Sequence, residues 1–236
     1  MTLSIVMPVL DEAASIEAAL RRLSPFHARG AEVIVVDGGS SDQTAALARP
    51  LADRVIVAQR GRALQMNAGA AAATGDVLLF LHADTQLPEN ADMSVLDGLA
   101  RSSRIWGRFD VRFDGGGLLR IVAALMNARS QLTGIVTGDQ ALFVTRATFD
   151  HIGGFPDIPL MEDVAISVRL KRVSRPLCLR APATTSARRW REHGVLRTIL
   201  LMWKLRIAYF LGADPLRLAR QYGYTADPVE YSKFPR

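Results

Sequence analysis

The sequence predicts an α/β protein with a mostly parallel central sheet flanked by helices and a basic, amphipathic C-terminal helical tail. Strand-like apolar runs alternate with Ala-rich segments of helical periodicity, as in βαβ units. The 236 residues are 49% hydrophobic, which is enough for a substantial core. Residues 1–163 contain 14 Lys and Arg against 19 Asp and Glu, whereas residues 164–236 contain 15 against 4. This composition excludes a disordered chain and a disulfide mini-protein.

The first part of the chain contains four predicted strands, at residues 3–9, 32–37, 54–58 and 77–82. A helix whose apolar positions begin at Ile16 follows the first strand, with Asp11 or Ser15 as its expected cap. A second helix begins after the polar turn at residues 38–42. Each of these helices follows a strand through a short turn, which favours parallel pairing.

The middle of the chain has a different pattern. Residues 105–114 alternate between apolar and polar side chains, which predicts a half-exposed, antiparallel strand. Residues 118–132 are helical in composition, residues 141–144 resemble a short strand, and residues 164–170 begin another helix. We expect one catalytic domain at residues 1–190, with a first half at 1–100 and a second at 101–190, followed by a tail at 191–236. No second independent domain is expected.

The start of the chain has no basic segment before its apolar run, and Asp11 and Glu12 interrupt that run early. We therefore expect no signal peptide. The lone Cys178 excludes an intramolecular disulfide and a multi-thiolate metal site. Both features fit a cytoplasmic protein.

The tail is apolar between residues 195 and 213, but Arg197, Lys204 and Arg206 interrupt it before it is long enough to span a membrane. Its apolar side chains share one helical face: Leu196, Ile199, Leu200, Trp203, Ile207, Phe210 and Leu211. Two interpretations remain open. The tail packs on the core or on a second subunit of a homodimer, or it binds an anionic membrane surface at the inner face of the cytoplasmic membrane. On the second interpretation a lipid or lipid-linked molecule is the expected partner, and nucleic acid is not.

Acidic residues follow two of the predicted parallel strands, where ligand crevices form in such sheets. Asp37 ends one strand, and Asp84 follows another strand beside His82. Mg²⁺ or Mn²⁺ bridging a diphosphate needs only one or two protein ligands, so Asp84 with His82 is a candidate metal site. The alternative is that Asp84 only caps a turn. Residues 37–44 lack the G-x-G-x-x-G pattern, but their small side chains allow a base or ribose to approach Asp37.

Two further groups are candidates for chemistry. Arg62 lies at a helix start, where a guanidinium suits a phosphate, although a solvated surface position is the alternative. Asp163 begins a helical run, where a carboxylate is either a helix cap or a general base. The absence of G-x-S-x-G and H-E-x-x-H excludes serine hydrolases and zincins of those types.

With its acids in this order, the sequence resembles the family 2 glycosyltransferases of the GT-A fold, most of all the small stand-alone bacterial type. The resemblance lies in five blocks: residues 4–12 (SIVMPVLDE), 35–42 (VVDGGSSD), 61–69 (GRALQMNAG), 75–84 (GDVLLFLHAD), and 153–155 (GGF) followed by Glu162 and Asp163. This resemblance implies a nucleotide-diphospho-sugar donor whose nucleoside is of the uridine type. It also implies a divalent metal, Mn²⁺ or Mg²⁺.

The resemblance also implies roles for single residues. Pro8, Glu12 and Asp37 would hold the nucleoside, Arg62 would approach the diphosphate, and Asn67 of the third block would join the donor site. Asp84, next to His82, would bind the metal, and Asp163 would deprotonate the acceptor hydroxyl. These roles describe an inverting transferase of a hexosyl or related group. The resemblance also implies that residues 1–100 are the nucleotide-binding half and residues 101–190 the acceptor half of a GT-A catalytic domain.

Two departures and two alternatives accompany this interpretation. The usual Asp-x-Asp is His82-Ala83-Asp84, and the Gln-x-x-Arg-Trp block of processive members is reduced to Arg188-Arg189-Trp190. One alternative is a sugar-1-phosphate nucleotidyltransferase, but residues 9–15 lack the Gly, Arg and Lys of its phosphate loop. The other is a non-catalytic nucleotide- or membrane-binding module.

Overall fold

The computed structural model describes residues 1–224. Its centre is an eight-stranded sheet with the order β3-β2-β1-β4-β7-β6-β8-β5. The strands are β1 (Leu3–Val9), β2 (Glu32–Asp37), β3 (Arg54–Val57), β4 (Val77–Phe80), β5 (Thr85–Gln86), β6 (Trp106–Phe113), β7 (Phe143–Thr145) and β8 (Leu177–Thr185). The first four pair in parallel with one another, as the sequence predicts.

Helices cover both faces of this sheet. They are α1 (Ile16–Arg21), α2 (Ser24–Ala28), α3 (Thr44–Ala48), α4 (Arg62–Ala72), α5 (Ala91–Ala100), α6 (Leu118–Thr133), α7 (Arg146–His151), α8 (Glu162–Val173), α9 (Arg188–His193), α10 (Val195–Phe210) and α11 (Pro215–Tyr222). Short 3₁₀ turns lie at Arg49–Leu51 and Gly138–Gln140. The predicted α/β architecture is confirmed.

Alternate residues of β1 enter the two cores. Ile5 and Met7 pack with α1 and α5, whereas Val6 packs with α4. Helix α4 approaches the sheet closely at Gly69, where a Cβ would lie 2.3 Å from Cγ1 of Val6. Burial on both faces explains the continuous apolar runs of these strands. It also fixes the start of α4, which contributes to the site described below.

The prediction of a half-exposed, antiparallel strand at residues 105–114 is wrong for the first part of β6. The strand is antiparallel to β7 but parallel to β8. Residues 106–109 are buried on both faces, whereas Asp110 is half-buried and Arg112 is exposed. Trp106 is 0% exposed and packs with residues of α8, and Arg108 is 1% exposed and donates to the carbonyl of Asn127 on α6. Helices distant in sequence therefore cover the face that the local alternation assigns to solvent.

The C-terminal helices pack on the rest of the protein through one side. Leu205 of α10 and Leu218 of α11 join a buried cluster with Ile135, Leu160 and Val164. Val195 and Ile199 of α10 pack against the cluster that α6 forms with β6. The prediction that the tail begins at residue 191 stays a prediction, and its last residues, 225–236, lie outside the described part. No helix within residues 1–224 is long and apolar enough to cross a membrane.

Candidate functional site

A cavity of about 810 Å³ opens at the carboxyl ends of β1 and β4. One wall comes from the parallel half of the sheet and the start of α4. The opposite wall comes from the start of α8 and from the C-terminal helices. Pro8, Glu12, Arg62, His82, Asp84 and Asp163 all line it. Six of the eight site residues predicted from sequence therefore meet in one cavity, although they are spread over more than 150 positions of the chain.

The wall at β1 is organised by a buried glutamine. Gln65 on α4 donates from Nε2 to the carbonyls of Val9 and Val36, at 2.9 and 2.8 Å. These bonds join the carboxyl ends of β1 and β2 to the helix that starts with Arg62. The Val9 carbonyl also accepts from the Gly38 amide at 3.0 Å, so Gln65 adds a second donor to it. It thereby fixes the position of the cavity floor relative to α4.

His82 and Asp84 lie where β4 ends. The Asp84 carboxylate is exposed to the cavity, and Thr85 is its hydroxyl neighbour at 3.3 Å. Burial, reinforced by the charge of Arg62, lowers the pKa of His82 to about 3, so its imidazole is neutral at physiological pH. The imidazole packs on Gly138, where a Cβ would lie 2.1 Å from Cε1 of His82. Only glycine fits at position 138 without displacing the ring.

The loop held by His82 also contacts the predicted base. The Gly138 amide donates to Oδ2 of Asp163 at 3.1 Å, and the Val164 amide donates to Oδ1 at 2.7 Å. Two backbone donors therefore fix this carboxylate at the start of α8. The residue that precedes the acid pair, Met161, has a φ of 70°, a left-handed conformation that is unfavourable for a non-glycine residue. Such strain is typical of functional sites.

Two other acids at the cavity have perturbed titration. Burial, and next the charge of Asp163, raise the pKa of Glu162 to about 7. Burial likewise raises the pKa of Asp139 to about 6, with Asp84 and Asp163 acting in the same direction. Carboxylates that repel one another in a cleft are typical of sites that bind cations or transfer protons.

The remaining two predicted residues do not line the cavity. Asp37 is 3% exposed, and its Oδ1 accepts hydrogen bonds from the amide, at 3.0 Å, and hydroxyl of Ser40. It lies next to Val9, which does line the cavity. Asn67 faces away on α4, and both ends of its amide bond the backbone of Phe155, at 2.9 and 3.0 Å. The side chain of Asn67 thus fastens the loop after α7 to α4.

The C-terminal helices bring residues to the cavity that sequence reasoning missed. The Arg189 guanidinium lies 3.6 Å from the ring centroid of Tyr222, and that of Arg62 lies 5.7 Å from the ring of Tyr224. Arg206 of α10 also lines the cavity. Arg189 belongs to the reduced block at residues 188–190, but no local motif distinguishes Arg206, Tyr222 or Tyr224. Their placement depends on how α10 and α11 fold back over the sheet.

The comparisons with known proteins agree with this geometry. The family model described as glycosyl transferase family 2 matches residues 4–147, more than half of the chain. The curated "PGL/p-HBAD biosynthesis glycosyltransferase" proteins of Mycobacterium bovis and Mycobacterium tuberculosis are each 35% identical over 114 residues. That alignment covers 45% of this chain and 42% of theirs, so the chain matches less than half the length of these relatives.

Solved structures show the same fold. Mannosyltransferase PcManGT from Pyrobaculum calidifontis, in complex with GDP-Man and Mn²⁺, has a TM-score of 0.65 at 20% identity, covering 94% of this chain and 69% of its own. S. aureus TarS 1-349 in complex with UDP-GlcNAc has a TM-score of 0.62 at 18% identity, covering 79% and 58%. Glucosyl-3-phosphoglycerate synthase from Mycobacterium tuberculosis, with Mg²⁺ and UDP, has a TM-score of 0.59 at 20% identity, covering 78% and 70%.

These structures identify the architecture as a GT-A fold, and the sequence match extends from the first strand through β7. The GT-A arrangement explains why the predicted donor side and the acid pair of α8 face one cavity. The resemblance of the opening blocks is thereby confirmed. The chain belongs to glycosyl transferase family 2.

Proposed function

We propose that the protein is an inverting glycosyltransferase that moves a sugar from a nucleotide-diphospho-sugar, UDP-linked, to an acceptor hydroxyl. The observation that supports this most directly is the meeting of Arg62, Asp84 and Asp163 in one cavity. Those side chains supply a cation for a diphosphate, a ligand for a metal, and a base. The cavity volume falls within the range of small-molecule sites.

On the donor side, we assign the nucleoside to Pro8 and Glu12 at the end of β1. Asp37 is adjacent through its pairing with Val9, and Ser40 fixes its carboxylate for hydrogen bonding to a base. Arg62 is positioned to contact the diphosphate. We assign no donor contact to Asn67, because the Phe155 backbone already satisfies its amide.

The residues at the end of β4 fit a divalent metal. No three His, Cys, Asp or Glu side chains within residues 1–224 form a complete cluster for a metal ion. One or two protein ligands suffice, however, when a diphosphate supplies the others. Asp84 would hold Mn²⁺ or Mg²⁺, with the neutral His82 beside it. A metal bound there would neutralise charge on the leaving diphosphate.

On the acceptor side, Asp163 takes the proton of the attacking hydroxyl. The hydroxyl oxygen forms a bond to the anomeric carbon while the bond from that carbon to the diphosphate oxygen breaks. The electron pair of the broken bond leaves with the nucleoside diphosphate, and Arg62 stabilises its negative charge. Attack opposite the departing group inverts the anomeric configuration. The two amides that bind Asp163 keep it oriented for this step.

The test is Asp163→Asn, with product stereochemistry read by NMR on the wild type. The amide keeps the size of the side chain but cannot accept the proton, so turnover should fall about 10²- to 10⁴-fold while donor affinity is kept. Near wild-type turnover in Asp163→Asn would remove this residue as the base. Release of pyrophosphate would identify a nucleotidyltransferase. Donor binding without transfer or hydrolysis would identify a non-catalytic module.

A second proposal concerns where the acceptor is found. Apolar side chains of α10 face solvent, and Trp203 and Phe210 are 65% and 63% exposed. Helix α6, which packs beside α10, exposes Ile121 and Leu125 in the same way. We name the exposed apolar side chains of these two helices the α6–α10 surface: Leu118, Ile121, Leu125, Leu132, Leu196, Leu200, Trp203, Ile207 and Phe210.

We infer that the α6–α10 surface binds the inner face of the cytoplasmic membrane and that the acceptor is a lipid or lipid-linked molecule. Arg197 and Lys204 flank the apolar stripe of α10 and are exposed. Basic side chains near an anionic surface contribute about 1 kcal/mol each. The adjacent side of α10 lines the cavity through Met202 and Arg206, so an acceptor in the membrane would lie close to the site.

Sedimentation with anionic and neutral vesicles across a salt series tests this surface. The wild type should bind anionic vesicles more strongly and lose binding as salt rises, and Trp203→Glu should weaken it. The matched control is Val57→Glu, which changes a side chain that is 70% exposed on β3. Equal binding by Trp203→Glu and the wild type would contradict the proposal. If the wild type is a homodimer, and Trp203→Glu dissociates it while Val57→Glu does not, the surface binds a second subunit instead.

A further inference from the structure

Two arginines meet at the C-terminal wall of the cavity without an anionic partner. Arg206 of α10 lines the cavity. Arg129 of α6 is close to it, and its Nε and Nη2 are shielded from solvent and form no hydrogen bond. Within residues 1–224, neither guanidinium forms an ion pair with a carboxylate. The wall therefore holds positive charge that the described protein does not neutralise by contact.

This arrangement is unfavourable for the protein alone. Burial, and next the charge of Arg206, lower the pKa of Arg129 to about 10, although the charge of Asp163 acts in the opposite direction. Arg129 is therefore charged at neutral pH. A buried cation without hydrogen-bond partners destabilises a fold. Arg108 is better satisfied, because it pairs with Asp110 and donates to the Asn127 carbonyl, although its Nε also has no hydrogen-bond partner. Arg129 and Arg206 lack such partners, which points to an external anion.

We propose that Arg206, supported by Arg129, forms a subsite for a phosphate group carried by the acceptor, close to the hydroxyl that Asp163 deprotonates. This inference rests on the proposed function, since it places the subsite on the acceptor side of the same cavity. The planar guanidinium of Arg206 matches the bidentate geometry of a phosphate. Arg129 is a positioning residue, because it does not line the cavity.

The position of Arg206 distinguishes this subsite from the donor diphosphate. The donor arginine, Arg62, is at the start of α4, whereas Arg206 lies on α10 among Thr198 and Met202. Phe113 of β6 and Trp190 of α9 also line the cavity, and their rings form an edge-to-face pair with centroids 5.3 Å apart. The cavity thus combines the cationic Arg206 with an apolar surface, which suits an acceptor that carries a phosphate on a larger body.

Calorimetric titration with inorganic phosphate and with glycerol 3-phosphate tests the subsite. The titrations with phosphate compounds use an Arg62→Gln background, so that the donor-side arginine does not contribute to phosphate binding. In that background, Arg206→Gln should weaken phosphate binding about ten- to hundredfold, and Arg206→Lys should retain part of it. The matched control is Arg217→Gln, which changes an exposed arginine of α11 outside the cavity and should have no effect. Phosphate affinity that Arg206→Gln leaves unchanged overturns the proposal.

Two further measurements separate the sources of the phosphate and the two proposals. Vesicles containing phosphatidic acid replace glycerol 3-phosphate in a parallel titration. Loss of affinity in Arg206→Gln for the soluble ester, for the vesicles or for both supports the subsite and assigns its source, and loss for neither overturns it. UDP with Mn²⁺ is titrated into the wild type as well. Absence of nucleotide binding would defeat the proposed function, while the phosphate result still decides the subsite.

Discussion

Asp139 lies in the 3₁₀ turn at Gly138–Gln140 and lines the cavity. We expect its ionisation to lower the free energy of unfolding as pH rises. Its pKa is raised from 3.8 to about 6, chiefly by burial. Below about pH 3 the carboxyl is largely protonated in the folded and the unfolded chain. As pH rises, the unfolded chain releases the proton first, because its pKa is lower. Stability therefore falls between about pH 4 and 6 and stays lower above the folded pKa.

The size of this effect follows from the same two pKa values. At about 1.4 kcal/mol per pH unit, the change from 3.8 to about 6 corresponds to about 3 kcal/mol once the group is ionised in both states. Asp139→Asn replaces the carboxyl with an amide that resembles its protonated form. We expect the variant to be more stable than the wild type by less than about 1 kcal/mol at pH 4 and by about 3 kcal/mol at pH 8.

Thermal unfolding monitored by circular dichroism across this pH range measures the difference. For a chain of this size, 3 kcal/mol corresponds to an increase in Tm of about 6 to 12 °C. The matched control is Asp150→Asn, which changes an exposed carboxylate on α7 and should show no growing gap. A gap that does not change with pH, or a variant that is less stable at pH 8, would refute the reasoning about burial.

Three other changes have defined outcomes. Asp84→Ala should abolish the metal-dependent part of UDP affinity, measured by calorimetry with and without Mn²⁺, while Tm is kept, because an exposed carboxylate leaves no core cavity. Gly138→Ala should lower both Tm and turnover, since its Cβ would lie 2.1 Å from the His82 ring and would displace the amide that binds Asp163. Asn67→Leu should lower stability in denaturant by about 1 to 3 kcal/mol and leave nucleotide affinity intact.

One of these changes has a matched control, and the other two have outcomes that would contradict the assignment. Gly116→Ala introduces a Cβ with no atom within 4 Å and should be neutral, unlike Gly138→Ala. Full metal-dependent affinity in Asp84→Ala would place the metal elsewhere. A loss of UDP affinity in Asn67→Leu without a loss of stability would return Asn67 to the donor site.

The strands within residues 1–100 could be predicted from sequence because their burial is encoded locally. The predicted segment at residues 32–37 coincides with β2, and its uninterrupted apolar run reflects burial on both faces. The alternation around Trp106 and Arg108 was misleading for the opposite reason. Whether that face is covered depends on α6 and α8, and no pattern within β6 reports on them.

The site could be predicted only as far as its motifs extend. Asp84 and Asp163 follow recognisable blocks, and the structure places both in the cavity. Asn67 belongs to a block too, but five positions after Arg62 the helical rotation directs its amide to Phe155. Arg206 lies in no block and reaches the cavity only because Leu205 anchors α10 in a buried cluster. The placement of Arg206 thus depends on tertiary packing, which no local sequence pattern reports.

Two sides of helix α10 have separate roles, one toward the cavity and one toward solvent. The rotation of the helix about its own axis is therefore fixed. Thr198, Met202 and Arg206 recur at four-residue intervals toward the cavity, whereas Trp203 and Ile207 point outward. Each added residue turns an α-helix by about 100°. A single-residue insertion after Gly194 would therefore rotate the rest of α10 by about 100°. The cavity-lining residues would leave the cavity, and the exposed apolar residues would change their direction as well. Insertions in this helix should be tolerated only in whole turns, because only those keep each side chain on its side of the helix.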